Sequence, residues 1–282
     1  MEQKKLTLVR RARRKFGIYP KYWWKSQLYG RFPGGWGMYR KLRHHRKPDY
    51  VHERDKHPVR HKHHGGGGWQ DSSREDGFHY RDYANYEEYL EHQKVKYDEL
   101  LQRGMAFSPA TVHSYRRRFF SRFRYLPYFL EKDARILCAG ARQGTEVEVL
   151  HDLGFRNAYG IDLNPGPENP WVEEGDFMKL EASDGSLDLI YCNALDHVFE
   201  IDAFLREQVR ALRHGGFVLY EAISGMSGEV FESIEWDSET TLLRKLLDYF
   251  GRVCKIEDDG FWTWYLLQNP EKELVDSNEA RG

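Results

Sequence analysis

No run of about 18 consecutive apolar residues occurs in this 282-residue chain, so the sequence offers no helix able to cross a membrane. Residues 1–15 also lack the apolar core of a secretory signal, and a cytoplasmic location is expected. Cysteine is scarce. Only Cys138, Cys192 and Cys254 are present, an odd number scattered through apolar runs. That argues against a disulfide framework or a zinc cluster and for small buried thiols in a reducing compartment; redox chemistry is not indicated. An excess of charge of one sign is missing as well, the formal net charge being −1.

That near-neutral total hides a polarised chain. Residues 1–70 carry 19 Lys+Arg and 4 Asp+Glu, whereas residues 71–282 carry 24 and 40. Seven of the 13 histidines fall in the first segment, so acidification would make it more basic still. Residues 1–68 read as an arm rather than a core-forming domain. Basic clusters (Arg10, Arg11, Arg13, Arg14, Lys15; Arg40, Lys41, Arg43) alternate with Tyr22, Trp23, Trp24, Phe32 and Trp36 and with glycine and proline breakers. Only residues 4–16 have the pattern of a short basic helix, and Gly65 to Gly68 form a linker by composition. Two readings stay open: a solvated tail, or a module for an anionic partner such as membrane phosphate, acidic glycan or RNA, which would make the protein membrane-peripheral in the first case of the three. An acid-poor, Arg-rich start also fits a mitochondrial transit peptide, though it is Trp-rich and not Ser-rich. His61, His63 and His64 form a flexible tract without a cysteine partner, so no metal site is expected.

Regular patterning begins after the linker. Apolar residues at three- and four-residue spacings predict an amphipathic helix over 83–102 and a second over 111–129, together a helical lead-in spanning 69–133. The Arg116–Arg118 run on the second helix is expected in water rather than in a substrate-phosphate site. From residue 134 short apolar runs alternate with helical stretches, the signature of a parallel sheet with crossover helices. Strands are predicted over 135–139, 157–161, 188–193 and 217–223, and helices over 145–153, 201–212 (stopped by Gly215-Gly216) and 239–250. Residues 252–256 and 261–267, joined by a Glu-Asp-Asp-Gly turn, read as a hairpin, which makes the sheet mixed. An acidic tail, 270–282, closes the chain.

The chemistry gathers at the predicted strand ends. Gly140, Ala141, Arg142 and Gly144 form a glycine-containing turn between a strand and a helix, where the backbone approaches a ligand closely and the helix start offers free N–H groups. Asp162 ends the next strand, placed to accept from both hydroxyls of a ribose. Asp176, in Gly175-Asp176-Phe177, is placed to accept from an adenine amino group, with Phe177 or Leu163 covering the ring. Each position alone also fits a turn or a helix cap. Together, in this order, they point to an adenosine-containing ligand.

With these motifs in place, residues 134–268 resemble the class I S-adenosylmethionine-dependent methyltransferases. The resemblance rests on the 140–144 turn, Asp162 in GIDLNP, GDF at 175–177, DLIYCNALDHV at 188–198 and LRHGGFVLYEA at 212–222. More closely, CAGARQGTEVEVL, GIDLNPGP and NALDH resemble a bacterial, largely uncharacterised subgroup, some of it associated with surface-glycan synthesis. The resemblance implies a Rossmann-like α/β fold over 134–269, a mostly parallel seven-stranded sheet ending in an antiparallel hairpin, with S-adenosylmethionine as cofactor. The family usually has an acidic residue at the position of Cys138 and a glycine at that of Arg142. Glu146 or backbone carbonyls of the turn then become the candidates for the methionine ammonium, and Arg142 for its carboxylate.

Methyl transfer asks the protein to align a nucleophile and, for a hydroxyl, to take its proton. His197 is the candidate base, with Asp196 orienting it or replacing it and Asn193 contacting the cofactor; a packing or capping role for His197 stays open. A hydroxyl of a glycan or small molecule is the expected acceptor. RNA is the alternative because of the arm, although no N-P-P-Y motif or RNA-binding module is present. An NAD-dependent dehydrogenase fits less well, lacking the third glycine of G-x-G-x-x-G, and a non-catalytic adaptor is kept open by Cys138 and Arg142.

Overall fold

The structure is a computed structural model that describes residues 76–102, 109–165, 169–223, 231–258 and 262–269. The basic arm with its expected helix and histidine tract, and the acidic tail, lie outside the described residues.

A short strand, β1 (Phe78–Tyr80), and two helices, α1 (Tyr86–Gln102) and α2 (Pro109–Phe123), precede the main sheet. Then come β2 (Arg135–Ala139), α3 (Thr145–Asp152), β3 (Asn157–Asp162), β4 (Val172–Glu174), β5 (Leu187–Cys192), α4 (Ile201–Ala211) and β6 (Leu212–Ala222). They are followed by β7 (Ile234–Trp236), α5 (Glu239–Leu247), β8 (Arg252–Asp258) and β9 (Thr263–Gln268). Seven strands form one sheet in the order β4-β3-β2-β5-β6-β9-β8, with only β9 running against its neighbours. This is a Rossmann-like methyltransferase fold. The chain enters at β2, builds outward to β4 and returns through β5 on the other side of β2. That reversal opens a crevice at the carboxyl ends of β2 and β5, where open α/β sheets bind ligands.

Both faces of the sheet are covered, so its central strands are apolar on successive residues. Ile136, Cys138, Leu189, Tyr191 and Leu219 face the layer that holds Phe119 and Phe123 of α2 and Val147 and Leu150 of α3. Leu137, Ala139, Ile190, Cys192 and Val218 face Tyr89 of α1, Phe204 and Leu205 of α4, and Leu242 and Leu246 of α5. Truncating a fully buried Leu137 to alanine at this position would cost about 3 kcal/mol.

Several expectations need correction. The helix predicted over 111–129 stops at Phe123, and Leu126–Tyr128 is a separate 3₁₀ turn containing Pro127; a proline has no N–H to give the carbonyl four residues back, here that of Phe123, and its ring clashes with that carbonyl. The arginines of α2 are not in water. Arg116 is buried between Glu148 (2.7 Å) and Asp152 on α3, and Arg118 packs against Glu221 and the ring of Trp262. The 201–212 helix ends at Ala211 and β6 starts at once, well before Phe217. Gly215 and Gly216 therefore do not stop a helix; they sit in an irregularity inside a strand, where pairing with β5 jumps from Leu212 to Phe217. Asn269 holds that irregularity by donating from its side chain to the carbonyls of Leu212 and Arg213. Cys138 and Cys192 are buried as expected, but Cys254 is exposed, the extra residue of a bulge between Val253 and Lys255 on the edge strand.

The lead-in also contains an element that periodicity did not announce. β1 pairs antiparallel with β7, Phe78 opposite Trp236 and Tyr80 opposite Ile234. Arg81 extends the link, its backbone N–H donating to Ser233 O and its Nε to Glu232 O, both at 2.8 Å. Residues 231–233 and α1 are thereby held against the carboxyl rim of the sheet.

Candidate functional site

At that rim lies a solvent-open cleft of about 480 Å³, lined by Gly140 after β2, Asp162 and Leu163 after β3, Phe177, Ala194 after β5, and His197. Arg142 and Asn164 contribute from the two turns, and Tyr89 and Gln93 from α1.

The turn after β2 is shaped by local backbone demands. Gly140 and Gly144 have φ of +73° and +74°, and Arg142 between them also takes a positive φ of 46°, unusual for a residue with a side chain. Asp162 stabilises this arrangement: Oδ2 accepts from the Arg142 N–H and Oδ1 from the Asn164 N–H, both at 2.9 Å. An ionised carboxylate offers about four lone-pair directions, so two remain for ligand hydroxyls. A Cβ on Gly140 would stand 3.1 Å from the Ala194 methyl and 3.6 Å from the Phe177 ring, closing the passage between the turn and β5. Gly144 is required for packing instead, because a Cβ there would come within 2.7 Å of Trp171 Cβ. Ala141 likewise serves the turn, its N–H donating to Ile161 O at 3.0 Å.

Of the remaining sequence candidates, Asp176 stands one residue before cleft-lining Phe177. Its Oδ1 accepts from Met178 N–H (2.8 Å) and its Oδ2 from the Tyr86 hydroxyl of α1 (2.5 Å). Burial, and then that bond to Asp176, push the Tyr86 phenol well above its ordinary range. Asn193 is half-buried next to Ala194 but does not line the cleft. Glu146 lies in the first turn of α3, only 5% exposed, and behind the turn rather than in the cleft wall. Its carboxyl is pushed up to about 8 by burial, against the opposing pull of its own backbone N–H and of Arg118 and Arg142. Beside it, Cys138 is raised well above the usual thiol range by burial, then by the Glu146 charge. Cys138 is thus the buried, unreactive thiol that the sequence leads one to expect, at a position where the resembled family usually has an acidic residue.

His197 sits on a single 3₁₀ turn, Leu195–His197, directly after β5. Its Nδ1 is 2.8 Å from the Phe231 carbonyl. A carbonyl only accepts, so Nδ1 carries the proton and, in the neutral ring, the lone pair is on Nε2. That Nε2 lies 3.7 Å from Asp196 Oδ2, a carboxylate able to stabilise the imidazolium formed on proton uptake. The Tyr89 hydroxyl donates to His197 O at 3.0 Å.

Sequence reasoning missed Tyr89, Gln93, Asn164 and Ala194. Tyr89 was read as part of an apolar helix stripe, and nothing local distinguishes a tyrosine packed on a core from one that also borders a cleft. Gln93 carried no signal. Asn164 lies within the GIDLNP motif and was within reach of a motif-based reading. Among the described residues no cluster of histidine, cysteine or carboxylate side chains is arranged to hold a metal ion.

Comparison with known proteins agrees with this architecture. A family model described as a methyltransferase domain matches residues 137–220, from β2 to the end of β6. A protein from Pyrococcus horikoshii is 17% identical, over 56% of this chain and 91% of its own, with a TM-score of 0.46. An S-adenosylmethionine-dependent methyltransferase from Aquifex aeolicus is 18% identical, over 58% and 99%, at 0.44. Another from Mesorhizobium loti is 17% identical, over 53% and 98%, at 0.42. The fold itself is established by the strand order. The β2-to-β6 segment is thus matched by a methyltransferase domain model, which indicates S-adenosylmethionine as the cofactor.

Proposed function

We propose that this chain is an S-adenosylmethionine-dependent methyltransferase acting on a hydroxyl of a glycan or small molecule, with His197 as the general base. The observation that carries the reading is the 2.8 Å contact of His197 Nδ1 with the Phe231 carbonyl, which assigns the ring proton to Nδ1, in the same cleft as Gly140 and Asp162. A nucleophile that must lose a proton during transfer needs an acceptor at the cleft, and a hydroxyl is such a nucleophile.

The residues present fit the cofactor. Asp162 keeps two lone-pair directions for a ribose, Leu163 and Phe177 offer apolar surface to a purine, and Gly140 leaves the passage beneath Ala194 open. Arg142 is the cleft residue with the charge to meet a carboxylate. When bound, S-adenosylmethionine supplies an electrophilic methyl group on a sulfonium centre. Toward it the chain contributes orientation and a proton acceptor at His197 Nε2 backed by Asp196.

Calorimetry with S-adenosylhomocysteine, S-adenosylmethionine and NAD tests the cofactor; micromolar binding of the first two with none of NAD is the expected result. Incubation with methyl-labelled cofactor and a panel of sugars, sugar nucleotides and small alcohols tests the acceptor. Base-stable label on a hydroxyl compound supports the reading, and label only in RNA overturns it. We infer further that the 1–68 arm engages an anionic partner, a reading supported by its 19 basic and 4 acidic residues up to position 70. Salt-sensitive binding to anionic vesicles, acidic glycan or RNA that vanishes on deleting 1–64 would bear it out, and unchanged binding would remove it.

A further inference from the structure

We propose that Gln93, on a helix outside the matched methyltransferase segment, is a positioning residue that sets which ring nitrogen of His197 holds the proton. The inference rests on the reading of His197 as the base and extends the reacting site to α1.

A neutral imidazole has one N–H and one lone pair, and the partner of one nitrogen decides the state of the other. For His197 that partner is a main-chain carbonyl, Phe231 O, in a loop segment and not in a helix or strand ladder. A loop carbonyl rotates unless other bonds hold it. Here the Gln93 side-chain amide spends its two N–H groups on this segment, one on Phe231 O itself (3.0 Å) and one on Ser233 Oγ (2.8 Å). The Ser233 hydroxyl is in turn 2.9 Å from Tyr83 OH, which is 2.8 Å from His92 Nδ1. The Ser233 N–H donates to Asp196 O at 2.7 Å, closing the loop back onto the turn that carries His197. The His92 ring stacks on Phe231, centroids 5.6 Å apart. Three consecutive residues are thus gripped from α1, from Arg81 after β1, and from the His197 turn.

A packing role alone would not ask for a side-chain amide at position 93. Gln93 also lines the cleft beside His197, so its amide and the imidazole meet at one acceptor oxygen from two sides. With both donors in place, the Nδ1–H form of His197 is the one that satisfies Phe231 O, and Nε2 is left to receive the acceptor hydroxyl's proton: the O–H bond breaks as an Nε2–H bond forms.

The test uses the full chain labelled with ¹⁵N-histidine, with His197 assigned by comparison with His197→Gln. The two-bond ¹⁵N–¹H pattern of neutral His197 should show the Nδ1–H tautomer in the wild type. Gln93→Glu, nearly the same shape but without an N–H to donate, should shift His197 to a mixture of tautomers. With the hydroxyl acceptor that the wild type methylates, it should also lower kcat about tenfold. Affinity for S-adenosylhomocysteine should stay within about threefold of the wild type, which excludes general loss of structure; Gln93→Leu guards against a new charge as the cause. An unshifted tautomer in both variants overturns the inference. Full turnover in His197→Ala overturns the base reading and the positioning role with it, whereas failure of the wild type to bind S-adenosylhomocysteine overturns the methyltransferase reading itself.

Discussion

One wall of the cleft is made of backbone turns at the ends of β2 and β3, and the opposite wall of α1 side chains and the main chain of residues 231–233. The first wall is local. Its two turns follow consecutive strands of the sheet, and Asp162 reaches back only to Arg142, 20 positions earlier. The second is assembled from three distant stretches, with Gln93 and Tyr83 meeting Ser233 across about half the chain. A turn wall can hold a cofactor whose shape is constant, while a wall of side chains can be altered to suit an acceptor without disturbing the sheet. On the proposed reading, chemistry at His197 belongs to the second wall although the residue follows β5, because its ring is oriented by Phe231.

If this division is right, damage to the two walls should separate cleanly. The largest effect is expected from His197→Ala: a loss of kcat on the order of 1000-fold with cofactor affinity unchanged, read by steady-state kinetics beside calorimetry. Loss of binding instead would move His197 into the cofactor wall. Next, Asp162→Ala removes the acceptor of two backbone N–H groups and the ribose partner. Its affinity for S-adenosylhomocysteine should fall roughly 100-fold, and a fall below threefold would put the nucleoside elsewhere.

A smaller effect concerns stability. Glu146 is protonated in the folded chain up to about 8, above its ordinary 4.5. Between those values the unfolded chain releases a proton that the native state keeps, so stability falls as pH rises through this window. Glu146→Gln abolishes that slope. Urea denaturation should show the variant gaining about 3–4 kcal/mol on wild type at pH 8 relative to pH 5; a pH-independent difference would mean that the carboxyl ionises freely. The smallest change is Tyr86→Phe, which removes only the hydroxyl donated to Asp176. It should cost about 1 kcal/mol of stability and raise amide exchange in α1 while leaving β2 to β6 protected.

The contrast between the walls also explains what was readable beforehand. Gly140, Gly144 and Asp162 were legible because a tight turn admits few residue types and its parts are close in sequence. The hairpin of β8 and β9 was legible because two apolar runs flank a short polar turn. The extent of β6 was misread because Gly215-Gly216 signals a break in regular structure without saying which kind, and Asn269, from the far end of the domain, resolves it. Burial of Arg116 was misread for a similar reason: its partners, Glu148 and Asp152, lie on another helix. Gln93 and the β1–β7 pairing were invisible.

Periodicity and turn chemistry were enough to establish an alternating α/β chain, a mixed sheet, a glycine turn facing an acidic strand end, and a strongly basic arm, since each follows from residues near in sequence. Packing established that α1 lines the cleft, that Phe231 O orients His197, and that Glu146 is buried with a raised affinity for its proton. Those outcomes depend on which surfaces meet once the chain has closed on itself, and hydrogen bonds between residues 34 to 138 positions apart leave no local pattern to read.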